Sequence, residues 1–199
     1  AGGLGSDLRK RLHRYCDVLR ISDLAGLEAE AGHEEVQLVR LEDAAAVHSL
    51  VEGVDAVIHL GGVSTEQPWD PILQGNIVGT YNLYEALRKH GVKRVVFASS
   101  NHVTGFYRQD EVVSPSEPMR PDGLYGLSKA FGESLSRLYF DRYGIETACV
   151  RIGSSFPEPR NRRMLATWMS YDDLERLVIA ALTTPVLGHT VMYLSLIHI

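Results

Sequence analysis

The sequence predicts a doubly wound α/β unit, a parallel sheet covered by helices on both faces. Short apolar runs alternate with helical periods along the chain. The run Arg94 to Ala98 is continuously apolar after its first residue, as in a strand buried on both faces. Small or polar residues follow the apolar runs repeatedly, at Gly61-Gly62, Ser99-Ser100 and Gly153-Ser154. Ligands of such sheets sit outside the carboxyl ends of the strands, so these positions mark one candidate site.

The elements follow in order. Leu4, Leu8, Leu12 and Tyr15 recur every three or four residues and predict a helix that starts in a glycine loop. Val18 to Ile21 and Val36 to Val39 read as strands, Ala44 to Val51 as a short helix, and Val54 to Leu60 as a strand ending at Gly61-Gly62. A long helical pattern covers Ile72 to His90, with Gly91 as its stop. The strand Arg94 to Ala98 leads through Ser99-Ser100 into a polar, proline-rich loop, Asn101 to Pro121. A second long helix runs from Asp122 to Tyr143 and stops at Gly144. The strand Glu146 to Ile152 ends at Gly153, and an irregular loop spans Ser154 to Arg163. Ser170 followed by Asp172 and Asp173 predicts an N-cap and an acidic first turn for a helix to Thr184.

Composition narrows the function classes. The 199 residues are 45% hydrophobic and 23% charged, an ordinary globular balance for one domain. A net charge of −5 with both signs interspersed argues against a nucleic-acid partner. No apolar run is long enough to cross a membrane, so no membrane partner is expected. Cys16 and Cys149 are the only cysteines. They form neither a disulfide framework nor a metal cluster, and read as reduced, partly buried thiols of a cytoplasmic protein with no metal site.

Tyr125 and Lys129 carry the chemistry. Four residues apart on a helix, they share one face. A nearby cation favours the phenolate, so Lys129 is expected to lower the Tyr125 pKa toward neutrality and make it a proton acceptor. Ser100 ends the preceding strand beside them. Gly2-Gly3-Leu4-Gly5 reads as the end of a glycine turn that brings backbone N–H groups to a pyrophosphate, in the Rossmann manner; alone it fits a glycine loop without a ligand equally well. Asp23 lies 18 residues after Gly5, where an acid bonds adenosine ribose hydroxyls and disfavours a 2′-phosphate, which points to NAD. By itself Asp23 also fits a turn, and so does Gly61-Gly62. His59 reads as a core histidine, and Trp69 and Trp168 as packing residues. Arg160, Arg162 and Arg163 form a basic cluster on an acidic protein and suggest an anionic ligand.

Longer motifs resemble the extended short-chain dehydrogenase/reductase superfamily, the NAD-dependent epimerase/dehydratase group, and within it the uronate dehydrogenase family. They are Leu60-Gly61-Gly62-Val63-Ser64, Gln74-Gly75-Asn76-Ile77, Ala98-Ser99-Ser100-Asn101-His102, Arg120-Pro121-Asp122-Gly123-Leu124-Tyr125-Gly126, Arg151-Ile152-Gly153-Ser154 and Arg163-Met164-Leu165. The resemblance implies oxidation of a hexuronate, galacturonate or glucuronate, at C1 to an aldarolactone, with NAD as cofactor. It implies Tyr125 as base, Lys129 as its partner and ribose ligand, and Ser100 aligning the reacting oxygen. Ser64, Asn101, His102 and Ser154 would hold sugar hydroxyls, and Arg163 the C6 carboxylate. Gly3, Leu4, Asp23, Leu41, Leu60, Gly61, Gly62 and Ile152 would line the NAD site. The resemblance also implies a homo-oligomer.

The family has an Asp-Leu pair where this chain has Arg40-Leu41, and an arginine cannot accept a hydrogen bond from adenine. Glu42 or Asp43 would have to substitute, or NAD binds more weakly. The chain opens in the glycine loop without Met, so the first strand, central in this sheet order, is expected to be missing. Residues 1–193 then form a truncated NAD-binding domain with part of the substrate region, and 194–199 a non-native tail. Such a piece alone is expected to be unstable and nearly inactive. Two other functions share these residues: a nucleotide-sugar epimerase and a non-catalytic NAD-binding protein.

Overall fold

The computed structural model describes residues 2–194, apart from the side chain of Arg163. It contains six strands, all paired in parallel, in two sheets: β1 (Leu19–Asp23) with β2 (Glu34–Leu38), and the order β3-β4-β5-β6 formed by Ala56–His59, Arg94–Ser100, Glu146–Ile152 and His189–Leu194. The fold is the Rossmann-type α/β arrangement the sequence predicts, and the chain adds a last strand, β6, that the sequence reading did not place. In β6, Leu194 pairs with Ile152 and is fully buried. The tail assigned to 194–199 thus starts on a strand residue, and its remainder, 195–199, lies outside the described residues.

Helices cover both faces because the strands alternate their side chains between two cores. On one face Val95, Phe97 and Cys149 meet α2 (Ala44–Val51), α4 (Gly79–His90) and α5 (Leu124–Tyr143) through Val47, Leu83, Leu87 and Leu135. On the other, Val96, Ala148 and Val150 meet α1 (Gly3–Leu12) and α7 (Tyr171–Thr183) through Leu8, Leu12, Leu174 and Val178. Leu19 of β1 and Ile58 of β3 both pack on this second core, so the two sheets share it.

Side-chain caps set several helix starts. Asp43 accepts from the Ala46 amide at 3.1 Å, and Ser170 from the Asp173 amide at 3.1 Å, as the sequence predicts for α7. Gly91 and Gly144 end α4 and α5 in the left-handed region. Asn161 caps a short helix, α6 (Arg162–Thr167), by accepting from the Met164 amide at 3.0 Å; the sequence reading treats the start of this segment as loop. The long helix before β4 is one continuous run, α3 (Trp69–Ile72), a π-helical segment over Leu73–Val78, and α4.

Three readings are corrected. Trp69 is 46% exposed at the first turn of α3 and is no packing residue, while Trp168 is partly buried and donates Nε1–H to the Phe156 carbonyl. Cys16 is exposed and Cys149 fully buried, so neither thiol is the partly buried type expected. His59 is buried as read, 5.8 Å from the Phe97 ring, and burial pushes its pKa down to about 3.

Candidate active site

The carboxyl ends of β3, β4 and β5 and the first turn of α5 meet at one edge of the sheet. Tyr125 is the second residue of α5, and Lys129 follows one turn later with 6% exposure. The Lys129 ammonium lies 5.7 Å from the Tyr125 ring centroid and 5.4 Å from that of Phe97. Burial pushes the Lys129 pKa down to about 8. Tyr125 goes the other way from expectation. Burial raises its pKa, and the Ser100 hydroxyl only partly opposes the rise. Spacing brings the cation to the ring, but loss of water around the phenol sets the direction of the shift.

Ser100 ends β4 and caps a 3₁₀ turn, Asn101–Thr104, by accepting from the His102 amide at 3.2 Å. The turn presents Asn101 and His102 at the sheet edge. His102 Nδ1 faces both oxygens of Asp122, and its ring meets that of Tyr125 edge-on at 5.7 Å. Two cavities flank this imidazole. One of about 360 Å³ is lined by Ser64, Glu66, His102, Asp122 and Tyr125. The other, about 180 Å³, is lined by Asn101, His102, Ser154, Asn161, Met164 and Thr167. Ser154 is held to the end of α6 through Ser154 N–H to Thr167 O at 2.8 Å and a hydroxyl contact with Thr167 at 3.0 Å. In the basic cluster, Arg160 stacks on Phe156 at 4.8 Å and Arg162 opens α6, exposed. Arg163 follows in α6; its side chain lies outside what the structure describes.

The residues expected to hold a dinucleotide fit one. Gly2 precedes α1, no side chain caps that helix, and its first turn carries no acid. Its leading N–H groups and positive end therefore suit a pyrophosphate. A Cβ on Gly2 would meet nothing within 4 Å, and one on Gly3 only the Tyr171 hydroxyl at 3.9 Å, so there is room above the turn. Gly5 lies within the first turn, whereas Leu4 packs into the core beside α7. Asp23 closes β1; burial would raise its pKa, but the net shift is downward, with N–H bonds from Ala25 and Leu24 among its causes, and the carboxylate stays charged. Leu41 lies against Gly61, where a Cβ would sit 3.2 Å from Leu41 Cδ1. Leu60 and Ile152 flank these positions at the ends of β3 and β5 and pack on the core below. Gly62 has φ +106°, and a Cβ there would fall 2.5 Å from Asn76 Oδ1. Both stand-ins for the family's adenine acceptor are engaged: Glu42 pairs with Arg40 at 2.7 Å, and Asp43 caps α2.

Sequence reasoning left three site residues without a role. Asn76, in the π-helical segment, accepts from Val63 N–H at 2.7 Å and donates to Val63 O and to Ser128 Oγ; Ser128 in turn donates to the Tyr125 carbonyl at 2.7 Å. Glu66 reaches the start of α5, and Asp122 reaches His102. The one available signal was the placement of Asn76 and Asp122 in the motifs that carry the resemblance. Glu66 had none. Deeper in, Glu133 and Arg151 form a fully buried two-bond pair that also takes the Ser99 hydroxyl, fixing α5 to β4 and β5 below the site. Among the described residues no cluster of three His, Cys, Asp or Glu could hold a metal.

The family described as "NAD dependent epimerase/dehydratase family" matches residues 1–186. A uronate dehydrogenase of Pseudomonas syringae pv. tomato is 60% identical over 194 residues, 97% of this chain and 70% of that protein. A uronate dehydrogenase of Agrobacterium fabrum is 54% identical over 97% of this chain and 73% of its own length. Among solved structures, a uronate dehydrogenase from Agrobacterium tumefaciens, a tyrosine-to-alanine mutant complexed with NAD, superposes with a TM-score of 0.96 at 52% identity, covering 98% of this chain and 73% of that one.

Proposed function

The chain belongs to the NAD dependent epimerase/dehydratase family, and from that premise we propose that it is an NAD-dependent oxidoreductase that oxidises a hexuronate at C1 to an aldarolactone. The observation that carries the reading is the meeting of Ser100, Tyr125 and Lys129 beside two cavities, on a chain 54–60% identical to uronate dehydrogenases. Tyr125 takes the proton of the anomeric hydroxyl, and Ser100 aligns that oxygen. NAD, when bound, supplies the hydride acceptor. Lys129 would bond the nicotinamide ribose of bound NAD, and it sets its cation beside the Tyr125 ring. Ser64, Asn101, His102 and Ser154 bind ring hydroxyls, and Arg163, on the helix that bears Met164 and Thr167, clamps the C6 carboxylate. Gly2, Gly3, Gly5, Asp23, Leu41, Leu60, Gly61, Gly62 and Ile152 form the NAD side, with Leu4 supporting the glycine turn from below.

We read residues 1–193 as the NAD-binding domain with part of the substrate region. The protein acts in the cytoplasm, a reading supported by its two free cysteines. Self-assembly is supported by the exposed Leu127 and Leu138 on α5. The test is a steady-state NADH assay of the full-length gene product across galacturonate, glucuronate, neutral sugars and a UDP-sugar. Turnover on uronates, lost in Tyr125→Phe with NAD binding kept, is the expected result. Activity on neutral sugars alone removes the role of Arg163, and epimerisation of the UDP-sugar replaces the reading.

A further inference from the structure

We infer that Glu66 is a positioning residue for Tyr125, acting from the same loop that carries Ser64. The inference rests on the reading of Tyr125 as the base. The first residue before α5 is Gly123, which offers no side-chain cap. Glu66, from 58 positions away, takes its place. Oε1 accepts from the Leu124 amide and Oε2 from the Tyr125 amide, both at 2.9 Å. A carboxylate has acceptor sites for both, and its charge suits the positive end of a helix. Glycine at 123 makes the approach possible, because a Cβ there would fall 2.4 Å from Glu66 Oε2.

The backbone of Tyr125 is therefore gripped on both sides. Glu66 holds its N–H, and Ser128, itself held by Asn76, holds its C=O. Asn76 also clasps Val63, one residue before Ser64. The loop after β3 and the first turn of α5 are thus tied at two points. Without Glu66 the phenol keeps its helix but loses the anchor that sets its distance from Ser100 and from the substrate loop. A shift of about 1 Å in a reacting group can cost about a hundredfold in rate.

The experiment compares Glu66→Ala and Glu66→Gln with the parent in the full-length gene product. Gln keeps one acceptor oxygen of two, so it should fall between the others. Amide hydrogen exchange at Leu124 and Tyr125 should quicken by about tenfold or more in Glu66→Ala, with residues 136–143 unchanged. For NADH formation from a uronate, kcat should drop about thirtyfold in Glu66→Ala and about fivefold in Glu66→Gln, with the KM for NAD within twofold. Unchanged exchange overturns the hold. Faster exchange with unchanged kcat reduces Glu66 to a helix cap and overturns the positioning role. If Glu66→Ala does not fold, Glu66→Gln decides by the same criteria. Should the parent turn over no uronate, the functional reading fails by itself. Glu66 is then judged by the Tyr125 phenol titration, taken as absorbance against Tyr125→Phe. Loosening the anchor should let water in and lower that pKa, and an unmoved titration overturns the inference.

Discussion

Asp122 brackets the imidazole of His102, with its two oxygens 3.0 and 2.9 Å from Nδ1. A carboxylate only accepts, so Nδ1 carries the hydrogen and the other ring nitrogen is left for a ligand in the flanking cavities. Asp122→Ala should free the ring to turn. The expected outcome is a rise of about tenfold in the KM for a uronate with kcat little changed, and a change in the ring ¹⁵N shifts of His102. Asp122→Asn keeps an acceptor and should fall between. An unmoved KM in the alanine variant would show that the ring needs no such support.

Lys129 is held at a cost. Burial takes its pKa from 10.5 to about 8. Because the folded value lies below the unfolded one, the penalty is complete below pH 8, on the order of 3 to 4 kcal/mol. It shrinks as pH rises from 8 toward 10.5, where the unfolded chain also loses the proton. Lys129→Met should therefore melt higher than the parent at pH 7, with the advantage fading as pH climbs through that window, while NADH formation disappears. Thermal melts from pH 6 to 10.5 give the comparison; a melting advantage that is absent at pH 7, or that grows with pH, counts against the assignment.

Arg40 stands where the resemblance calls for an acid, and it occupies Glu42 at 2.7 Å. Arg40→Asp should strengthen NAD binding by about five- to tenfold, the worth of one recovered hydrogen bond of roughly 1 kcal/mol or slightly more. Calorimetric titration with NAD reads this directly, and equal affinities would mean that the adenine is held elsewhere.

Gly62 combines φ +106° with a Cβ position 2.5 Å from Asn76 Oδ1. Gly62→Ala should cost about 2 kcal/mol in urea unfolding through backbone strain and displacement of Asn76. On the proposed reading of Gly61-Gly62 as part of the NAD side, NAD affinity should fall with it. A variant as stable as the parent would mean that the loop relaxes freely.

What the sequence revealed was mostly local. Ala44–Val51 forms a helix with the bounds predicted, and Ser170 caps α7 as read, because period and cap lie within a few residues of each other. The small residues at strand ends do converge, since parallel topology sends every strand end to one edge. The misses are contacts across long separations or effects of burial. Glu66 caps a helix 58 residues away, and no spacing rule reaches that far. The rise in the Tyr125 pKa comes from excluded water, which a Tyr-to-Lys interval does not report. α6 is six residues long, less than two helical turns, and β6 shows no alternation of burial along its six residues, so neither carries a clear apolar period to recognise.

The π-helical segment before α4 has a bearing on how this chain can change. One wider turn carries a residue more than an ordinary helix of the same rise, and that surplus lets Asn76 point at Val63 and Ser128 while Tyr84 and Leu87 stay in the core. Removing a single codon in 73–78 would let the wide turn close to an ordinary one, with the apolar stripe of α4 still facing the core. Asn76 would then lose the surplus that lets it reach Val63 and Ser128. Insertions and deletions here should be far rarer among descendants than substitutions, whatever sugar they come to handle.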